Sequence, residues 1–272
     1  MSDALSINLD DSTPERIGFP PPLLGDVPLR LPVAPVADGL LALGLPGGLL
    51  SEAHPFYAGQ PPVIAAIQAQ LRASKPELER LGLEIALGIN FIEPEMSGVL
   101  LVGVTRPGVE RWRNALGSRQ LRFRYDLVAR ADANLPGILE CDLPLARHRR
   151  EDRMLVSHKT GKKCTTTFTR VGQLGELDLW RAETLLPRLH QIRVHAMEVG
   201  LALPGESLYG EHATLTWADF GRKGASGART IATAPMIHLA EISPVTPEIG
   251  LPPVIAKPTV ELAQAWDAFE QI

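Results

Sequence analysis

The chain has 272 residues, 45% hydrophobic and 21% charged, enough to bury a full core in one large domain or two small ones. No run of 18 or more apolar residues occurs, which argues against a membrane-spanning helix, and the acidic opening MSDALSINLDDSTPER lacks the basic-then-apolar pattern of a secretory leader. The net charge of −4 hides an uneven distribution: residues 106–170 carry 15 Lys/Arg against 7 Asp/Glu, whereas the rest of the chain carries 12 against 24.

A basic middle in an acidic chain points to a local anion-binding face for RNA or DNA, or else to a set of solvated strands and helix faces. Two cysteines, Cys141 and Cys164, read as free thiols where no export signal is seen, and the expected location is cytoplasmic.

Residues 1–34, rich in Pro, Asp and Ser, predict an irregular arm, and residues 35–250 the main domain. DGLLALGLPGG (38–48) predicts a strand that ends in a Pro/Gly turn. Residues 61–82 predict a helix opened by Pro61 and Pro62, with Ile64, Ile67 and Leu71 at helical spacing. A strand is expected over 97–105, then a helix over 107–118 with Val109, Trp112 and Leu116 along one side. LRFRYDLVAR (121–130) alternates apolar and polar residues as a half-buried strand does. Further strands are expected over 137–145, 164–172 and 174–184, with a basic loop between the first two. RLHQIRVHAMEVG (188–200) predicts a helix stopped by Gly200. ATLTWADF and MIHLAEISP predict late strands, and residues 251–272 a closing helix. Strands outnumber helices and follow one another in hairpin fashion, so the fold class is α+β with a mostly antiparallel sheet.

His190, Gln191, Arg193 and His195 crowd one and a half turns of the 188–200 helix. The two histidines are five residues apart and diverge by about 140°, the wrong spacing for a zinc helix, so no metal is expected. A buried Arg193 requires a carboxylate or phosphate partner, either in a structural ion pair or at a site. RHRREDR (147–153), with Arg147, Arg149 and Arg150, can track phosphates, and Lys159, Lys162 and Lys163 extend the patch; a solvated hairpin tip is the plainer reading. No Walker loop and no nucleophile elbow occur.

LHQIRVHAMEVGLALPGESLYG (189–210) resembles the C-terminal signature of the RluA/RluD-type RNA pseudouridine synthases: a His-Gln-Ile/Leu-Arg-Val-His helix, then a loop ending in Leu-Tyr-Gly. Four other segments are similar and collinear: DGLLALGLPGGLLSE (38–52), SGVLLVGVT (97–105), RFRYDLVAR (122–130) and RMLVSHKTGKKCTTTF (153–168). The resemblance implies a central, mostly antiparallel sheet with flanking helices and a cleft. It also implies isomerisation of uridine to pseudouridine in ribosomal or transfer RNA, on a base flipped from its stack, with no cofactor or metal. Under it Tyr125 stacks on the flipped base, and Arg193 pairs with the catalytic carboxylate.

The chain departs from the family where catalysis is concentrated. The family loop His-Arg-Leu-Asp-x-x-Thr-Ser-Gly is here Asn90-Phe91-Ile92-Glu93-Pro94-Glu95-Met96-Ser97-Gly98, and a family Lys in the first motif is Leu45. Glu93 adds one methylene, roughly 1.5 Å of reach, where a misplacement of about 1 Å costs on the order of 100-fold. Glu93, Tyr125 and Arg193 are therefore the expected catalytic groups of an impaired synthase. Asn90, Phe91, His190, Gln191, Arg147, Arg149, Arg150, Lys162 and Lys163 are the expected RNA contacts, with Phe91 able to wedge between bases by stacking. The alternatives are an inactive RNA-holding protein of the same fold, such as an assembly factor, or a protein scaffold in which the basic middle is incidental.

Overall fold

In the computed structural model, residues 6–210, 214–220, 224 and 227–258 are described. The chain forms two compact units, one from Met1–Phe123 and Leu239–Lys257, the other from Arg124–His238 and Pro258–Ile272. The fold is α+β, and among the described strand pairs nearly all are antiparallel.

The first unit begins with β1 (Ile7–Leu9), β2 (Arg16–Phe19), β3 (Leu29–Ala37) and β4 (Leu40–Leu45). It continues with α1 (Val63–Arg72), α2 (Pro76–Arg80), β5 (Leu87–Gly88), β6 (Met96–Gly103) and α3 (Arg106–Gly117). β7 (Leu121–Arg130) then carries the chain into the second unit. Among the described residues, the arm expected over residues 1–34 holds β1, β2 and the first part of β3. LRLPVAPVA keeps period-two burial through Leu31 and Val33, with Pro32 in register opposite Arg16, and Pro35 is accommodated by a register shift at Pro35/Ala37 where β3 meets β4. The single helix expected over 61–82 is two, because Pro76 forces Lys75 into extended backbone (φ −67°, ψ 121°).

The middle of this unit is β6. Every residue of MSGVLLVG is buried, as an unbroken apolar run between covered faces must be. It pairs with β4 (Leu43↔Leu100), carries β5 on one end (Gly88↔Val102), and has β15 on its other side. α3 starts as the sequence predicts: Thr105 Oγ1 accepts the Gly108 N–H at 3.1 Å, Pro107 fills the first turn, and Val109, Trp112 and Ala115 turn inward.

In the second unit β7 is followed by β8 (Ile138–Cys141), β9 (Leu145–Arg147), β10 (Met154–Val156), β11 (Thr166–Leu174) and β12 (Leu177–Thr184). Then come α4 (Gln191–Glu198), β13 (Leu215–Thr216) and β14 (Thr230–Ala232). β15 (Ile237–Pro244) leads back to the first unit, where β16 (Val254–Ala256) pairs with β15 and, in parallel, with β1. The order β7–β12–β11–β8 makes the second unit's sheet, around buried Leu127, Phe168 and Trp180.

Two expected elements are shorter than their patterns suggest. The 137–145 strand splits into β8 and β9. The ATLTWADF strand is only Leu215–Thr216, since Asp219 Oδ2 accepts the Thr216 N–H at 2.7 Å and turns the chain. Of the closing helix expected over 251–272, residues 251–258 are not helical and carry the strand β16 (Val254–Ala256), and residues 259–272 lie outside the described residues. No helix among the described residues is long and apolar enough to cross a membrane.

Candidate active site

The loop 90–98 belongs to the first unit and is fastened at three points. Asn90 turns its amide back onto β6, donating from Nδ2 to the Val99 carbonyl (2.9 Å) and accepting the Leu101 N–H at Oδ1 (2.8 Å). Ser51 brackets Ile92: its Oγ donates to the Ile92 carbonyl (2.9 Å) and accepts the Ile92 N–H (2.8 Å). The Gly48 N–H donates to the Pro94 carbonyl at 2.7 Å. The LPGG turn and the serine after it therefore hold the acidic loop, a role that neither residue type signals in sequence. Glu93 closes a turn, its carbonyl accepting the Met96 N–H at 3.0 Å, and its residue is only 4% exposed. At Gly98 (φ +131°) a Cβ would lie 2.3 Å from the Leu239 carbonyl oxygen, so glycine alone lets β15 close on β6 behind the loop. Phe91 is half-buried and meets the His54 ring edge-on at 5.7 Å; His54 also meets Phe56 at 4.9 Å. Tyr57, beside them, donates its hydroxyl to Glu95 Oε2 at 3.1 Å. Glu95 is thereby spent on a local contact.

The second unit holds the other group. Arg193 on α4 is 1% exposed and makes a bidentate pair with Glu206: Nε to Oε2 at 2.7 Å and Nη2 to Oε1 at 2.8 Å. Oε1 also accepts the Leu208 N–H (2.8 Å) and the Tyr209 N–H (3.3 Å). Burial works to raise the Glu206 carboxyl. The Arg193 hydrogen bonds and charge, with the two amides, outweigh it and hold the group below the ordinary glutamate range. Tyr209 lies under the guanidinium, 5.5 Å from ring centroid to Cζ. Arg130, Arg193, Leu201, Leu203, Glu206 and Tyr209 line a cavity of about 370 Å³. Arg130 is itself paired with Asp219. Tyr125 on β7 is buried, its ring sharing the inward alternation of Leu121 and Phe123.

The helix residues expected as RNA contacts lie in the interior. His190, the N-cap of α4, sits in the left-handed region (φ 56°) with Nδ1 2.6 Å from the Tyr209 hydroxyl. Gln191 donates from Nε2 to the Thr165 carbonyl (3.1 Å), Thr166 Oγ1 (2.9 Å) and Thr184 Oγ1 (3.2 Å), and its Oε1 accepts the Arg188 N–H. At 1% exposure each, and with 5% for Asn90, these three are interior fasteners, not surface groups. Their amide and imidazole groups are consumed by backbone and hydroxyl partners. His195 is also buried, its Nε2 2.9 Å from the Leu143 carbonyl and its Nδ1 2.9 Å from Thr166 Oγ1. Among the described residues no group of three or more His, Cys, Asp or Glu side chains could hold a metal ion.

The basic residues do share a surface. β9 and β10 form a hairpin (Met154↔Arg147, Val156↔Leu145) with Arg149 and Arg150 exposed at its tip. The chain then doubles back so that Lys162 pairs with Leu145, through N–H to carbonyl bonds of 2.8 and 3.1 Å. Gly161 permits the return, since a Cβ there would lie 2.3 Å from the Ser157 carbonyl oxygen. Exposed Lys159, Lys162 and Lys163 are thereby brought beside the hairpin. Arg147 is exposed with Asp152 at 3.5 Å.

The family resemblance implied a carboxylate for Arg193 at the catalytic loop, whereas Glu206 supplies the structural ion pair that the residues alone also suggested; neither Glu206, Tyr209 nor Ser51 was singled out. The ESLYG run held the first two, but only folding shows that its glutamate turns back to α4.

No protein-family model matches the chain. The chain is similar to the ribosomal large subunit pseudouridine synthase D of Zymomonas mobilis, at 26% identity over 229 residues, 81% of this chain and 67% of that protein. The Haemophilus ducreyi protein of the same name is 26% identical over 206 residues, 75% of this chain and 58% of its own length. That of Yersinia pestis is 28% identical over 122 residues, 45% of this chain and 37% of its own length. The chain thus spans between about a third and two thirds of these curated relatives. Among solved structures, human RNA pseudouridylate synthase domain containing 4 superposes with a TM-score of 0.63 at 12% identity, over 86% of this chain and 91% of that one. Human RNA pseudouridylate synthase domain containing 1 gives 0.54 at 17%, over 88% and 95%. The chain is therefore similar in sequence to ribosomal large subunit pseudouridine synthases D and shares the fold of those solved structures.

Proposed function

We propose that the protein converts uridine to pseudouridine in structured RNA, ribosomal or transfer RNA, with Glu93 in the place of the usual aspartate. The observation that carries this reading is the likeness to a named pseudouridine synthase across 81% of the chain. The reaction is an isomerisation. The C1′–N1 bond breaks, the C1′–C5 bond forms, the C5 proton leaves and N1 gains one, so neither oxidant nor co-substrate enters the balance. The Glu93 carboxylate serves as nucleophile or base, and Tyr125 stacks on the extruded base and moves a proton; Arg193, engaged bidentately by Glu206, acts as a positioning group within the second unit. The hairpin with Arg149, Arg150, Lys159, Lys162 and Lys163 holds phosphates, with Phe91 as a stacking group. The reading places the protein with its RNA in the cytoplasm.

Support for an impaired rate comes from the loop itself. With Asn90, Ser51 and Gly48 fixing the backbone on both sides of Glu93, the extra methylene is not absorbed by a looser loop. The test is pseudouridine formation on ribosomal RNA transcripts by the purified protein. Wild type is expected to be slow, Glu93→Asp faster, and Glu93→Ala inactive with RNA affinity retained. Equal, undetectable turnover by all three, with tight binding, would favour the second reading, an RNA-holding protein that has lost the chemistry. The departures at Asn90 and Phe91 are what favour that reading.

A further inference from the structure

Tyr209 is the meeting point of two parts of the second unit that the proposed function uses separately. Its hydroxyl oxygen accepts the Met154 N–H at 2.7 Å, at the first residue of β10. The same oxygen lies 2.6 Å from His190 Nδ1 at the N-cap of α4. The Tyr209 hydroxyl oxygen thus links the start of β10 to the N-cap of α4. On its other side Tyr209 donates its backbone N–H to Glu206 Oε1, the oxygen that also takes Arg193 Nη2, and its ring lies under the Arg193 guanidinium. The inner face of the hairpin, Leu145, Met154 and Val156, packs with Val194 and the Tyr209 ring.

We propose that Tyr209 is a positioning residue that locks the basic hairpin to the Arg193 ion pair, so that an RNA phosphate backbone held on the hairpin steadies the guanidinium. The identity of the ligand rests on the proposed function. The lock is a property of the free protein and is tested there.

The variant is Tyr209→Phe, which keeps the ring, its packing and the cation–π contact and removes only the hydroxyl. In the free full-length chain, NMR reads three groups: the His190 ring nitrogens, the Met154 amide and the Arg193 Nε–H. The lock predicts that His190 Nδ1 loses its hydrogen-bonded shift. It predicts that Met154 amide exchange quickens about five- to tenfold, as the loss of one hydrogen bond would cause. It also predicts that Arg193 Nε–H exchange quickens severalfold, beyond any change in the urea midpoint. An unchanged Arg193 Nε–H alongside altered His190 and Met154 would overturn the proposal, leaving Tyr209 a local fastener of the hairpin. A second arm uses a ribosomal RNA transcript: Tyr209→Phe is expected to bind within about twofold of wild type but to form pseudouridine severalfold more slowly per bound complex. An equal loss in binding and rate would count against the lock. If wild type forms no pseudouridine, the proposed function fails, and the exchange data alone decide the lock.

Discussion

Truncating Glu206 is the most direct probe of how the second unit holds its cationic group. In Glu206→Ala, Arg193 stays at 1% exposure but loses two charge-assisted bonds of 2.7 and 2.8 Å, and the Leu208 and Tyr209 amides lose their shared acceptor. Breaking one side of a buried ion pair costs about 3–5 kcal/mol. Orphaned amides add about 1 kcal/mol each where water does not reach them. The expected loss is about 5–7 kcal/mol, on the order of 15 °C in Tm. Glu206→Gln keeps one carbonyl acceptor and is expected to lose about half as much. Glu206→Ala combined with Arg193→Met removes both charges and is expected to be no less stable than Glu206→Ala alone, since the uncompensated buried cation is gone. The assay is urea unfolding of the four proteins, with m-values compared to check that the unfolding reaction is the same. A cost under about 1 kcal/mol for Glu206→Ala would refute the claim that this pair holds α4 to the loop that follows it.

Stability is expected to fall on acidification in two stages. Burial pulls the His195 imidazole below its ordinary 6.5, against the opposing Leu143 carbonyl bond and Asp142 charge, so the unfolded chain takes up a proton that the folded one refuses. The urea midpoint then drops as pH falls below about 6.5, and again below the ordinary glutamate value of 4.5, where the depressed Glu206 begins to lose its advantage. An NMR titration in which His195 protonates at 6.5 would contradict the first stage. Burial pushes the Cys164 thiol up to about 11 and also raises Cys141. Neither is expected to react with a disulfide reagent at pH 8 until urea is added, when two thiols per chain should appear. RNA affinity should fall steeply with salt, and Arg149→Ala with Arg150→Ala should flatten the log–log slope by about 2; an unchanged slope would remove the hairpin from the interface.

The central strands and α3 were legible because their signals are local. SGVLLVG is an apolar run, LRFRYDLVAR alternates, and Pro107 marks a helix start. β3 was hidden because Pro32 and Pro35 interrupt an otherwise clean alternation; Pro32 sits in register opposite Arg16, and a register shift follows Pro35. The start of α4 was set three residues early, because nothing in Leu189-His190-Gln191 announces a left-handed N-cap fixed by a tyrosine nineteen residues away. The site divides in the same way. The basic patch was visible as composition. The interior placement of Asn90, His190 and Gln191 was not, since amide and imidazole side chains serve equally as ligand contacts and as backbone fasteners, and their partners Val99, Thr166 and Tyr209 are chosen by tertiary contact.

The central claim is that Glu93 still does chemistry on RNA. The measurement that tests it most directly is a site-resolved pseudouridine map of total cellular RNA, made with the gene deleted and with wild type, Glu93→Asp or Glu93→Ala restored. The account predicts a site that vanishes on deletion, returns with wild type and with Glu93→Asp, and stays absent with Glu93→Ala. An identical map in every strain would contradict it.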